Sequence, residues 1–131
     1  MAALFRRLIH HKFFPAAWTI FTVFLLCIPG SVVPGTGLFG LKGFDKIVHV
    51  FLFGSNVLLW GWFAEKVVSN SKKLRNIFIM LALYGILLGI IMEFVQRDYV
   101  PNRSFDMYDI IADAVGAMAA AIYLRSKQSI F

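Results

Sequence analysis

The run NIFIMLALYGILLGIIMEFV, residues 76–95, decides the class of this protein. It is almost wholly apolar, with Glu93 its only charged residue. At about 1.5 Å per residue a helix over it reaches about 30 Å, the thickness of the bilayer hydrocarbon. Backbone amides in lipid must be satisfied within their own segment, so such a run reads as a transmembrane helix. Composition agrees, because 60% of the 131 residues are hydrophobic against roughly 45–50% in soluble domains.

Working outward, three more apolar runs fit: about Phe13–Ile28, Lys46–Ala64 and Met107–Leu124. The first and last are short for a span, so thinning of the bilayer or flanking anchors are implied. Pro15 suits a first helical turn and Pro29-Gly30 an end. The expected fold is all-α, an integral membrane bundle of four transmembrane helices forming one unit over residues 1–131. The N-terminus has the charged-then-apolar order of a signal peptide, but its apolar run is long and no A-x-A site follows, so it reads as a retained helix. Cys27 is the only cysteine, which excludes an intrachain disulfide. Leu26 before it is too bulky for lipoprotein processing.

Charge gives a direction, because Lys and Arg concentrate on the cytoplasmic side. Of the 13 basic residues, nine belong to the N-terminus (Arg6, Arg7, Lys12), the loop after the second span (Lys66, Lys72, Lys73, Arg75) and the C-terminus (Arg125, Lys127). The other side has Lys42, Lys46, Arg97 and Arg103. Both termini are therefore expected in the cytoplasm. The acids fall the opposite way: Asp45, Glu93, Asp98, Asp106 and Asp109 border the outward loops, Asp113 lies one turn deeper, and only Glu65 is on the inner side. The basic residues form no aromatic-basic stripe, so nucleic acid is not an expected partner.

Residues three and four apart share a helix face. That places Asp45, His49, Asn56 and Trp60 on one stripe of the second span and Gly85, Gly89, Glu93 and Gln96 on one stripe of the third. Asp109, Asp113, Gly116 and Ala120 share a stripe of the fourth. The small residues allow close approach of helices in lipid. Spans two to four are thus expected to converge, with His49, Glu93, Gln96, Asp109 and Asp113 around an outward-opening pocket. The glycine stripes could equally serve a homo-oligomer.

A carboxylate in hydrocarbon is normally paired or functional. Asp109 is near the N-terminus of its helix, where the macrodipole favours the anion, and Glu93 near the C-terminus of its own, where it does not. Acid-base roles would follow from that difference: Glu93 as acid, Asp109 or Asp113 as base, and His49 as shuttle. The competing structural readings have Asp106 capping the fourth span, Arg97 and Arg103 neutralising Glu93, Asp109 and Asp113, and His49 as a buried hydrogen-bonding residue. No H-E-x-x-H or C-x-x-C spacing is present, and PGTGLFGLKG, residues 34–43, lacks the K-[ST] of a phosphate loop. No metal or other cofactor is expected, and 34–43 reads as a flexible outer loop.

DKIVH at Asp45–His49, E-x-x-Q at Glu93 and Gln96, Arg103, and DIIADAVG at Asp109–Gly116 resemble the VanZ-like family of bacterial membrane proteins. That family's pattern runs D-K-x-x-H, E-x-x-Q, R, then D-x-x-x-N-x-x-G. PGSVVPG, Pro29–Gly35, also suits its first outer loop, and the likeness covers nearly the whole chain. Asp113 departs from the pattern by standing where the family has asparagine, which adds a carboxylate to the pocket. The resemblance implies a small multi-span protein of the bacterial cytoplasmic membrane, in a family named for a protein associated with teicoplanin resistance. Together with the stripes it nominates Asp45, Lys46, His49, Glu93, Gln96, Arg103, Asp106, Asp109 and Asp113 as ligand-binding residues.

Three functions are then open. The first is a non-enzymatic envelope protein whose pocket binds membrane lipid, a lipid-linked wall precursor or a glycopeptide, with Arg97 and Arg103 on phosphate or carboxylate and Trp60, Trp62 and Tyr99 on apolar or sugar surfaces. The second is an intramembrane acid-base enzyme acting on a lipid-linked substrate. The third, a proton-coupled transporter, ranks last because its carboxylates ought to lie near the midplane.

Overall fold

The helix ends are set by chemistry that lies outside the apolar runs. The computed structural model describes residue 11 and residues 13–32 and 43–128. Helix α1 spans Phe13–Leu26, with Pro15 in its first turn, where a missing N–H costs nothing. Helix α2 spans Phe44–Val67, entered through the left-handed Gly43. Helix α3 spans Ser71–Tyr99; the Asn70 side chain caps its start by accepting from the Lys73 N–H at 2.9 Å. It stops where Pro101 forces Val100 into an extended conformation. Helix α4 spans Met107–Gln128, with Arg125 and Lys127 in the last turn, where the dipole favours cations. These capped polar turns carry α2, α3 and α4 beyond the apolar cores read from sequence.

Helices α2, α3 and α4 are long and apolar enough to cross a membrane, whereas α1 is a shorter apolar helix of 14 residues. At about 1.5 Å per residue α1 covers about 21 Å, less than the hydrocarbon thickness of about 30 Å. The architecture is all-helical, as expected, with three helices rather than four of spanning length among the described residues. Arg6, Arg7, Lys12, Lys42 and the outer loop at 34–42 lie outside the described residues.

Helix α4 is packed against both α2 and α3. Small residues allow it: a Cβ on Gly116 would lie 2.3 Å from the Val50 carbonyl oxygen and 3.0 Å from the Gly54 nitrogen, so α2 and α4 touch backbone to backbone. Below this crossing Val57, Leu74, Phe78, Ala117, Ala120, Ala121 and Leu124 form one apolar core. Leu26, Leu52, Phe53 and Met92 form a second, which ties α1 to α2 and α3. The glycine stripes are thus spent within the chain. The outward face of α3 exposes Ile79, Met80, Leu83, Leu87 and Ile91, a surface suited to lipid tails and unfavourable in water.

Helix α1 is joined to α2 by polar side chains. Trp18 Nε1 donates to Ser55 Oγ at 2.9 Å, Trp60 Nε1 to Thr19 Oγ1 at 3.1 Å, and Thr19 Oγ1 to Asn56 Oδ1 at 3.2 Å. Its C-terminal end is tied to the α3–α4 connection: Gln96 Nε2 donates to the Leu26 carbonyl at 2.8 Å, Arg103 Nε to the Ile28 carbonyl at 3.3 Å, and the Gly30 N–H to the Pro101 carbonyl at 3.0 Å.

Candidate functional site

The start of α2, the end of α3 and the start of α4 meet at one end of the bundle. The sequence-selected polar residues assemble there. Asp106 is the N-cap of α4: its Oδ1 accepts from the Tyr108 N–H at 2.8 Å. Its own N–H donates to Glu93 Oε2 at 2.8 Å. In a capping box that second bond goes to a carboxylate three residues along the same helix; here α3 supplies it. Glu93, only 1% exposed, is thereby committed to holding the α3–α4 connection.

The counterion is Lys46. Its ammonium donates to Asp106 Oδ2 at 2.5 Å and to Asp109 Oδ1, and lies 2.8 Å from Asp45 Oδ2. A lysine has three N–H donors, and here three carboxylates surround them. The ammonium holds the Asp106 carboxyl below the usual carboxylate range, against the smaller upward push of its partial burial.

One turn deeper, His49 Nδ1 lies 2.8 Å from Asp113 Oδ1, and both residues are buried. The ring is parallel to Phe53, which closes the site below. His49 Nε2 lies 3.7 Å from Asp109 Oδ2. Space for Asp113 comes from α3, because a Cβ on Gly89 would fall 2.8 Å from the Asp113 Cβ. The glycine stripe of α3 therefore serves the site as well as the packing.

Of the nine nominated residues, Asp45, Lys46, His49, Glu93, Asp106, Asp109 and Asp113 form one connected cluster. Gln96 and Arg103 lie beside it but donate to the carbonyls of Leu26, at the end of α1, and of Ile28, just beyond it. The expectation that Arg97 and Arg103 neutralise the carboxylates is corrected: Arg97 pairs with exposed Asp98 at 2.6 Å and stacks on Phe94, while Arg103 forms no ion pair among the described residues. Asn56 and Trp60 turn toward α1, and Trp62 packs against the far core, so neither tryptophan lines this site. Tyr99 is 81% exposed near it. Sequence reading missed Thr19 as a partner of α2, where its hydroxyl accepts from Trp60 and donates to Asn56. A hydroxyl in the middle of an apolar helix was the available signal.

Chemically, the cluster offers a histidine oriented by a carboxylate, with its second nitrogen turned toward Asp109. Such an arrangement can accept and return a proton at Nε2. It also offers an ammonium and a half-buried guanidinium at the rim, both competent for anionic head groups.

No family model matches the chain, and no solved structure matches it. A protein of Schizosaccharomyces pombe described as uncharacterized is 30% identical over 78 residues, which cover 60% of this chain and 44% of that protein. The chain thus spans less than half the length of this relative.

Proposed function

We propose that the chain is a VanZ-like membrane protein whose polar end binds an amphiphilic or lipid-linked ligand of the cell envelope. The observation that carries this reading is the gathering of seven titratable side chains from three helices at one end of a lipid-suited bundle. The spacing of D-K-x-x-H, E-x-x-Q, R and D-x-x-x-D-x-x-G along the sequence supports it. In this reading α1 is the fourth span, accommodated by local thinning of the bilayer. Both termini face the cytoplasm, and the polar end faces outward, by the distribution of Lys and Arg.

The family resemblance supports a location in the bacterial cytoplasmic membrane; the fission-yeast relative shows that similar sequence also occurs in a eukaryote. A lipid phosphate or pyrophosphate would meet Arg103 and Lys46 at the rim, and its chains would run down the exposed apolar faces. The test is thermal stability of the purified protein with anionic lipids, lipid-linked wall precursors and teicoplanin. Head-group-dependent stabilisation supports the reading; a melting midpoint unmoved by all of them removes it. Altered teicoplanin susceptibility of expressing cells is the phenotype that would connect the site to resistance.

The His49–Asp113 pair favours a second reading, an intramembrane enzyme in which His49 relays a proton to or from a lipid-linked substrate. Asp109→Asn discriminates the two. An enzyme loses turnover while keeping fold and binding, whereas a purely structural carboxylate loses the fold.

A further inference from the structure

The end of the bundle away from the carboxylate cluster has the opposite charge. Residues 65–75 and 122–128 hold six lysines and arginines and a single acid, Glu65. Glu65 is spent within the chain: it lies 3.8 Å from the Lys127 ammonium and accepts from Gln128 Nε2 at 3.2 Å, which sets the end of α4 against the end of α2. Lys66, Lys72, Lys73, Arg75 and Arg125 are exposed and pair with no carboxylate among the described residues. Five like charges gathered from three helix ends repel one another unless anions lie among them.

Repulsion alone selects no ligand; the placement of the cations on their helices is the second observation. On α3, Lys72 and Arg75 precede the exposed Ile79, Leu83 and Leu87 at spacings of three and four, so they head one apolar face. This helix is the least buried of the three that are long enough to span a membrane. On α4, Arg125 completes the exposed stripe of Ile111, Val115, Met118 and Ile122 in the same way. Each face is a long apolar strip ending in positive charge, complementary to a molecule with hydrocarbon chains and an anionic head. Helix electrostatics do not account for the cations of α3: its first turn has no acid, and Lys72 and Lys73 lie at the positive pole, where the dipole disfavours them. Basic residues on any face would serve insertion direction. Their sharing of the exposed apolar face is what points to a bound lipid.

We propose that this end binds anionic phospholipid, with the head-group phosphate held by Lys72, Lys73 and Arg75 and an acyl chain lying along Ile79, Met80 and Leu83. The Arg75 guanidinium suits two phosphate oxygens at once, and the two ammonium groups act as point charges beside it. The aliphatic stems of all three cover the first carbons of the chain. Arg125 above Ile122 offers the same chemistry on α4. The site is at the opposite end from the carboxylate cluster and stands without the ligand reading above.

The experiment reconstitutes the full chain in phosphatidylcholine vesicles with a trace of chain-spin-labelled phosphatidylglycerol or, separately, spin-labelled phosphatidylcholine. Electron paramagnetic resonance reads the fraction of label immobilised against the protein. The expected result is a preference of about fivefold for phosphatidylglycerol at low salt, the scale of one basic residue at a charged lipid surface. Lys72→Gln, Lys73→Gln and Arg75→Gln combined should lower it to about twofold or less, and Arg75→Gln alone to about threefold. These side chains are exposed and Gln is a comparable helix former, so the fold is retained. Arg97→Gln, at the other end and paired with Asp98 in the wild type, should leave the preference unchanged. A wild-type preference near unity overturns the proposal. So does a preference that survives both the triple variant and Arg75→Gln, since it then belongs to the other end of the bundle, or one that is lost in Arg97→Gln. Inorganic phosphate should reduce the preference no more than chloride at equal ionic strength; specific displacement by phosphate would make this a site for a free anion and would equally overturn the proposal.

Discussion

At the α2–α3–α4 end, charges meet charges: Lys46 is surrounded by three carboxylates, and His49 lies between Asp113 and Asp109. Halfway along the α1–α2 seam, neutral groups meet neutral groups through Trp18, Thr19, Ser55, Asn56 and Trp60. The first region is crossed by helices in backbone contact; the second joins a short helix through side chains. The charged cluster therefore depends on the exact approach of α4, whereas the neutral seam can lose one bond and keep its geometry. A polar residue in a membrane helix is thus no single signal: its partners decide whether it marks a reactive site or a fastening.

The largest effect is expected from breaking the close approach. Gly116→Ala would place a methyl 2.3 Å from the Val50 carbonyl oxygen, backbone that cannot turn aside. A loss of about 3 kcal/mol is expected, seen as a large fall in the melting midpoint in detergent. Gly61→Ala is the control: its methyl would lie 2.2 Å from Leu124 Cδ1, the movable end of a side chain, so about 1 kcal/mol is expected. Equal losses for the two would show that backbone contact is not what fixes α4.

Lys46→Met tests the charged region directly. Removing one partner from a buried ion pair costs about 3–5 kcal/mol, but Lys46 is partly exposed, so a loss of about 1–2 kcal/mol is expected at pH 7. The pH dependence has a definite sign. The Asp106 pKa is depressed below its ordinary 3.8, so its contribution is present above that value and lost as pH falls through the lower folded value. Wild type and variant should therefore converge in stability below about pH 4. A gap that stays constant down to pH 3 would assign Lys46 a packing role instead.

Much of the charged region was legible in the sequence. Titratable residues are so few in an apolar chain that helical spacing alone placed His49, Glu93, Asp109 and Asp113 on converging faces. Lys46 and the arginines were not legible in the same way. Counting faces locates a Cα, and a long basic side chain reaches well beyond it; Lys46 crosses to α4, Arg97 takes the adjacent Asp98, and Arg103 turns to the Ile28 carbonyl just past α1. Asn56 and Trp60 share the His49 stripe to within about 60°, yet α2 has neighbours on two sides, and that spread carries the stripe from α4 to α1. The fourth span was legible as an apolar run, but helix length is decided at its ends, and α1 closes at Leu26.

The neutral seam predicts smaller changes. Trp60→Phe keeps the ring and removes the N–H that reaches Thr19 Oγ1. A loss of about 1 kcal/mol is expected, the typical net value of one hydrogen bond. Trp18→Phe, which removes the donor to Ser55, should cost about the same. Losses several times larger would mean that α1 detaches as a unit when one fastening goes.

The smallest effect has the opposite sign. Thr22 is fully buried on α1, and its Oγ1 has no hydrogen-bond partner, a state it shares with Asn56 Nδ2 among the described residues. An unpaired buried hydroxyl costs about 1–3 kcal/mol relative to one that is bonded. Valine has nearly the same shape without the hydroxyl, and its branched Cβ fits the same helical rotamer. Thr22→Val should therefore be neutral or stabilising by up to about 1 kcal/mol, read as an unchanged or higher melting midpoint. A clear destabilisation would show that the hydroxyl is bonded in the membrane, with a buried water bridging it to the Asn56 amide as the economical explanation. The neutral seam would then be as fully satisfied as the charged one, and the contrast between the two regions would reduce to charge alone.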